Sequence, residues 1–422
     1  MGPKTFRNWR ICSLSKAPDD RVRIAVTGIG VASGLGYGKA AFLQGLFEAR
    51  GVFSELTRHG REPAGGEPPF VGVELDEPPN VLPARLARTA TLSSRVAMAV
   101  LQEAWQDAGL DQVDPERIGL VVGSSNPMSR EQALAAQRYA DKLEFVPPRH
   151  GHMFLSSDIA GLCTSVLPIR GFSQSVDAAS ASGSVAVIQA MDAVRSGRVD
   201  VCIALGALQD LSGYDLHAMR SLGVMGGADH AARPGEACRP MDLAHYGFIY
   251  GEASAALVLM RKDLSMSHNS YGDLIGAGHI ADGSRGPEPN SEGQVRAALN
   301  ALAQAGLTAK QIDFVNGHAT GTPQGDFEEC RTYHSLELHH ARINATKSIV
   351  GHGMSAAGAL ELAAVLLQIK EGRLHPTRNL ENPIDESFDW VKAEPVSHEI
   401  RHALKFSFGF GGINTALVIA AP

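Results

Sequence analysis

Three stretches of this sequence combine residue types and spacing suited to chemistry. "SVDAASASGSVAV" (175–187) puts Ser180 at the turn between a strand-like run and a helix-like run, among Ala178, Ala179, Ala181 and Gly183. Those small side chains leave room for a thioester or similar group near the positive end of a helix dipole. Serine is also a preferred N-cap, and Ser180 is expected to cap its helix. "VNGHATGTPQGDFEE" (315–329) sets His318 in a loop directly after a buried strand, and "ATKSIVGHGMSAAG" (345–358) sets Lys347 and His352 just before a helix of small residues. Of the sixteen histidines these two are bracketed by glycines and small residues, which suits projection into a site. His339, His340, His398 and His402 sit in polar contexts without that signature. "FSFGFGGINTALV" (406–418) holds Phe408 and Phe410 among glycines, either as a turn feeding a core strand or as a mobile aromatic gate.

The elements that must position these residues follow from periodicity. "VRIAVTG" and "RIGLVVG" read as buried strands, and "SSRVAMAVLQEAWQDAGL" as a helix closed by glycine. Strand and helix alternate from Arg21 onward, which predicts an α/β architecture. An internal echo adds to this. "LQEAWQDAGLDQVDPERIGLVVG" (101–123) matches "LNALAQAGLTAKQIDFVNG" (299–317), each a helix ending in Ala-Gly-Leu, a polar link and a strand. "ASGSVAVIQAMDAVRSGRV" (181–199) matches "SAAGALELAAVLLQIKEGRL" (355–374), each a helix opening on small residues and closing on Gly-Arg. The echo predicts a duplicated α/β unit: a leader over 1–20, an N-terminal half over 21–262 carrying Ser180, and a C-terminal half over 263–422 carrying His318, Lys347 and His352. A site between the halves would draw on both copied helix starts.

The bulk properties exclude other classes. A net charge of −7 over 422 residues gives no basic stripe for nucleic acid. No apolar run is long enough to cross a membrane, and the N-terminus lacks a signal-peptide core, so the expected location is the cytoplasm. Five scattered cysteines, never in a C-x-x-C pair, suit a reducing compartment and predict no metal site. "TGIGVASGLGYG" (27–38), with Glu48 beyond it, has the spacing of a dinucleotide fingerprint, a weak signal against a plain strand–turn–helix.

Together the stretches resemble the β-ketoacyl synthases, the condensing enzymes of fatty-acid and polyketide synthesis. The likeness runs from about Arg21 through "VTGIGVASGLG", "RPMDLAHYGFIYGEASAALVL", "NGHATGTPQGD", "KSIVGHGMSAAG", "LHPTRNLENP" and "SFGFGGIN". It implies the thiolase-like fold, duplicated α/β halves in a five-layered αβαβα sandwich, as a homodimer. It places the family's two histidines on His318 and His352, its lysine on Lys347, a structural acid on Glu329 and the gating phenylalanine on Phe410, with Phe408 beside it. It implies no tightly bound cofactor, only the phosphopantetheine arm of an acyl carrier protein substrate. Arg195, Arg198 and Lys347 are basic residues that would suit the carrier's acidic surface.

One departure dominates. Where the family has Val-Asp-Thr-Ala-Cys-Ser, this chain has Val176-Asp177-Ala178-Ala179-Ser180-Ala181. The changes at 178 and 181 argue against a single engineered trapping substitution. Phe406 likewise stands where an asparagine is usual. A condensing enzyme takes an acyl chain onto its cysteine, then decarboxylates a malonyl thioester whose carbanion attacks that chain. An alkyl hydroxyl ionises far above a thiol's pKa of about 8.5, and a helix dipole worth about 0.3–1 kcal/mol does not close the gap. Decarboxylation needs only fixed donors aimed at the thioester oxygen. The combination resembles ketosynthase-like decarboxylases of polyketide β-branching, which make acetyl- from malonyl-acyl carrier protein for a hydroxymethylglutaryl-synthase-like partner. Two other readings stay open: a non-condensing partner subunit like a chain-length factor, and a serine-dependent acyltransferase or condensing enzyme with a histidine as base.

Overall fold

The computed structural model describes residues 23–265 and 270–422; the expected leader lies outside the described residues. The N-terminal half contributes β1 (Ile24–Ser33), α1 (Leu92–Ala108), β2 (Ile118–Gly123), β3 (Phe172–Val176), α2 (Ser182–Arg195), β4 (Val201–Gly206) and β5 (Ser254–Arg261). The C-terminal half contributes β6 (Gly272–Ala281), α3 (Ser291–Ala305), β7 (Phe314–Asn316), α4 (Pro323–Ser335), β8 (Arg342–Asn344), α5 (Ala357–Glu371), β9 (Asp389–Trp390), β10 (His402–Gly409) and β11 (Ile413–Ala420). Strand order is β9-β8-β7-β10-β11-β6-β1-β5-β4-β2-β3, so β1-β5-β4-β2-β3 is matched outward from the β1–β6 junction by β6-β11-β10-β7-β8, with β9 added at the far edge. That junction is short: Ile24, Ala25 and Val26 pair antiparallel with Leu274, Asp273 and Gly272.

The duplication legible in the sequence is a duplication of structure. Helices α1 and α3 both end on a left-handed glycine, Gly109 (φ 64°) and Gly306 (φ 67°), the usual αL stop. Each lies on its own half-sheet, while α2 and α5 pack on one another between the two half-sheets, giving the five-layered αβαβα sandwich. Every residue of α5 from Ala357 to Ile369 is buried, as expected of a largely apolar helix in the central layer, Glu361 and Gln368 included.

Close backbone approach explains the glycines. A Cβ on Gly30 would lie 1.9 Å from the Val100 carbonyl oxygen of α1, and one on Gly278 the same distance from that of Ala297 on α3. The glycine-rich stretch at 27–38 is therefore no dinucleotide loop. Gly28 and Gly30 lie within the fully buried β1, and α1 occupies the space that a pyrophosphate would need. Glu48 is a helix C-cap residue paired with Arg50. In the centre, a Cβ on Gly183 would meet the Ala359 nitrogen at 2.6 Å, and one on Gly358 the Ser184 nitrogen at 2.5 Å. At least Gly183 is thus small for helix crossing and not for substrate.

The parallel strands β2, β3 and β4 end level, at Gly123, Val176 and Gly206. In the other half β7, β8 and β10 are level at Asn316, Asn344 and Lys405. In open α/β sheets, ligands bind beyond the carboxyl ends of parallel strands. Ser180 follows β3, His318 follows β7, Lys347 and His352 follow β8, and Phe408 is the last residue but one of β10. No helix among the described residues is long and apolar enough to cross a membrane.

Candidate active site

Ser180 sits in a single 3-10 turn, Ala179–Ala181, ahead of α2, and the echoed turn Met354–Ala356 stands ahead of α5. In both, the first residue takes a left-handed backbone, Ala179 at φ 47° and Met354 at φ 50°. Such a conformation is unfavourable for a residue with a Cβ, and it turns the next side chain out of the helix path. Ser180 consequently does not cap its helix. Ser182 does the local bonding instead: its Oγ accepts from the Ala178 N–H and donates to the Ala179 carbonyl. The Ser180 Oγ lies 3.0 Å from His352 Nε2.

The histidine tautomers follow from their other ring nitrogens. His352 Nδ1 accepts the backbone N–H of Met354 at 3.2 Å, so the proton of the neutral ring is on Nε2, and Nε2–H donates to Ser180. His318 Nδ1 lies 3.3 Å from the ammonium of Lys347, which has donors only, so His318 also carries its proton on Nε2. The two rings meet edge to face at 5.6 Å. Burial holds both imidazoles well below their ordinary pKa, and the Lys347 and Lys405 ammonium groups push in the same direction. Both are neutral N–H donors at physiological pH.

Charged side chains fix this pair from behind. Lys347 donates to the His318 carbonyl and to Glu361 Oε1, while Lys405 Nζ lies 3.1 Å from Glu361 Oε2. One buried carboxylate is shared by two buried ammonium groups, and Lys405 also donates to Ser184 Oγ at 3.2 Å. Burial pushes Lys405 down to about 8 against the pull of Glu361, with Lys347 adding repulsion. Glu329 on α4 accepts the N–H groups of His318 and Ala319 and the Tyr333 hydroxyl, each at 2.7 Å. Burial raises its pKa to about 7 in spite of those donors.

Ser180, His318, His352, Glu329, Phe408 and Phe410 all line one cavity of about 600 Å³. Phe408 packs edge-on against His318 at 5.3 Å, whereas Phe410 is 38% exposed at the rim, in the hairpin between β10 and β11. The turn thus feeds a core strand as one reading expected, with Gly411 and Gly412 both at positive φ. No cysteine among the described residues reaches the cavity. Cys163, Cys202 and Cys238 are buried elsewhere, with their thiols pushed up to about 12 by burial.

This arrangement belongs with a known family. The model of the β-ketoacyl synthase N-terminal domain matches residues 21–265, and that of the C-terminal domain matches 271–381. The chain is a member of the β-ketoacyl synthase family. It is 45% identical over 400 residues to the polyketide biosynthesis malonyl-ACP decarboxylase PksF of Bacillus subtilis, covering 94% of this chain and 96% of that one. It is 29% identical to the 3-oxoacyl-[acyl-carrier-protein] synthase 2 of Coxiella burnetii, over 95% and 99% of the two chains. Among solved structures, the ishigamide ketosynthase/chain length factor superposes with a TM-score of 0.86 at 25% identity, covering 95% of this ketosynthase-family chain and all of that one.

Two expectations need correction, and two residues escaped the sequence reading. Ser180 is not a helix cap, as described above. Lys347 is 1% exposed and locked between Glu361 and His318, so it offers nothing to a carrier's surface, whereas Arg198 is exposed and stacks on Phe172 at 3.8 Å. Glu361 and Lys405 were missed. The available signal was a lone acid in "AGALELAAVLLQI" and a lone base in "HALKFSF", since an isolated charge in a buried run is rarely left unpaired.

Proposed function

We propose that this protein is a malonyl-acyl carrier protein decarboxylase of polyketide biosynthesis, forming acetyl-acyl carrier protein and CO2 for β-branching. The observation that carries the reading is the pair of neutral Nε2–H donors beside a serine. When the malonyl carboxylate leaves as CO2, negative charge moves onto the thioester oxygen as an enolate. His318 donates to that oxygen, and His352 shares its one Nε2–H between that oxygen and the Ser180 hydroxyl; a full donor at such a site is worth roughly 10²–10³ in rate. Lys347 holds His318 in the donating tautomer and Glu329 anchors its backbone. Phe408 shapes the pocket beside His318, and Phe410 gates its rim. The phosphopantetheine arm of the carrier brings the malonyl group into the cavity, so no resident cofactor is required.

The same geometry counts against a serine-dependent acyltransferase. A general base needs a free lone pair towards the hydroxyl. His352 presents Nε2–H there, because its lone pair on Nδ1 is taken by Met354. Two intact donors in one cavity likewise suit catalysis better than a purely structural partner subunit. The site is carried on two halves, 21–262 and 263–422. We assign the chain to a cytoplasmic homodimer, for which β3 offers an open sheet edge, with a hydroxymethylglutaryl-synthase-like enzyme consuming the product.

The test is to incubate the protein with malonyl-loaded carrier and follow the intact carrier by mass. The expected result is loss of CO2 to give acetyl-carrier, slowed by His318→Ala at least 100-fold. A stable acyl adduct on Ser180 would favour the acyltransferase, and an unchanged carrier would return the chain to the role of a partner subunit.

A further inference from the structure

A decarboxylase has a requirement that a condensing enzyme lacks: its enolate carbon must be protonated, because no acyl group is present to receive it. We propose that Ser180 is the proton donor to that carbon, an inference that rests on the decarboxylase reading. The hydroxyl accepts from His352 Nε2–H, so its own hydrogen is not engaged by that contact, and no other hydrogen bond of Ser180 occurs among the described residues. The left-handed Ala179 turns the side chain into the cavity.

Distance supports the assignment. A thioester oxygen bonded to His352 Nε2–H lies about 3 Å from that nitrogen, and Ser180 Oγ lies 3.0 Å from the same nitrogen. Within a thioester the oxygen and the α-carbon are about 2.4 Å apart. Both oxygens share one donor, so the α-carbon can approach the hydroxyl to within contact distance. Other acidic hydrogens nearby are engaged: Tyr333 donates to Glu329, and Lys347 is held by Glu361 and the His318 carbonyl.

The step balances. The enolate electron pair takes the Ser180 hydrogen, forming the methyl C–H bond and leaving a serine alkoxide held by His352 Nε2–H. An alcohol is the stronger acid of the two, so the transfer is downhill. Water returns a proton to the alkoxide, and the hydroxide formed combines with the released CO2 as bicarbonate. The sum is malonyl thioester plus water giving acetyl thioester plus bicarbonate. A thiol at this position would itself be acylated by the thioester, whereas a serine facing a donor stays protonated and free.

The experiment follows wild type and Ser180→Ala on malonyl-loaded carrier in equal parts of H2O and D2O, reading rate and the H/D ratio in the acetyl methyl group by mass. We expect S180A to lower kcat about 100-fold with KM unchanged, which shows the site intact. We also expect the H/D ratio of its residual product to shift from the wild-type value to that of protonation by water. A rate within twofold of wild type, or a slow variant with an unaltered H/D ratio, would overturn the proposal and leave water as the donor. If wild type makes no acetyl-carrier, the decarboxylase reading fails first.

Discussion

Replacing Glu361 by glutamine would leave two ammonium groups, those of Lys347 and Lys405, facing each other without a counter-charge. Both are at most 1% exposed. Removing one partner of a buried ion pair typically costs about 3–5 kcal/mol. For a chain of 422 residues the unfolding entropy is about 0.9 kcal/mol/K, so E361Q should lower Tm by about 3–6 °C at pH 7. Lys405→Met is the informative contrast. It removes one of two cations that share a carboxylate, leaves the Lys347–Glu361 pair intact and keeps most of the side-chain volume, so K405M should escape the loss seen in E361Q and keep a Tm at or above that of wild type at pH 7. The pH dependence has a definite sign. Lys405 titrates at about 8 in the folded protein and at about 10.5 when exposed. The cost of burying its charge is fully present below pH 8 and fades as pH rises towards 10.5, where the unfolded chain still binds the proton. Wild type should therefore gain stability relative to K405M across that interval. The assay is calorimetric Tm of the three proteins from pH 7 to 10. Equal losses in E361Q and K405M, or a gap between wild type and K405M that does not change with pH, would refute the shared-carboxylate account.

Two further predictions concern the donors and their support. The acid limb of the wild-type pH–rate profile should lie well below 6.5, because burial and the two lysines hold both imidazoles neutral; K405M removes one of those cations and should move the limb upward, since a proton on Nδ1 displaces the contact from Lys347 or Met354. Gly183→Ala puts a Cβ 2.6 Å from the Ala359 nitrogen and should cost about 1–3 kcal/mol. It should also lower kcat by more than the stability loss explains, as the Ser180 elbow shifts off His352; an unchanged kcat in folded G183A would show that the helix crossing does not set the site.

Much of the fold was readable because it rests on periodicity and repetition. The helix stops at Gly109 and Gly306, and the two elbows ahead of α2 and α5, are the same physical solutions written twice, so the sequence echo and the structural echo coincide. The glycine-rich stretch is the structural strand–turn–helix favoured over a cofactor loop. Gly28 and Gly30 have a fingerprint's spacing, but spacing does not reveal what approaches the backbone, and the approaching object is α1. That Glu361 and Lys405 pair with each other was not legible, because they lie across the central layer and only the crossing of α5 with β10 brings them together.

The loops also gave up residue types but not proton positions. His318, His352 and Ser180 could be picked out by their small neighbours, and from types alone a serine beside a histidine reads equally well as nucleophile and base. What separates the readings is a backbone N–H of Met354 and an ammonium of Lys347, each occupying an Nδ1 lone pair. Neither contact follows from spacing, since one depends on the left-handed turn at Met354 and the other on a buried ion cluster spanning α5 and β10. With both lone pairs taken, the histidines can donate towards the cavity but cannot accept there. The Ser180 hydroxyl is then a group that keeps its proton until a stronger base, the enolate carbon, forms beside it.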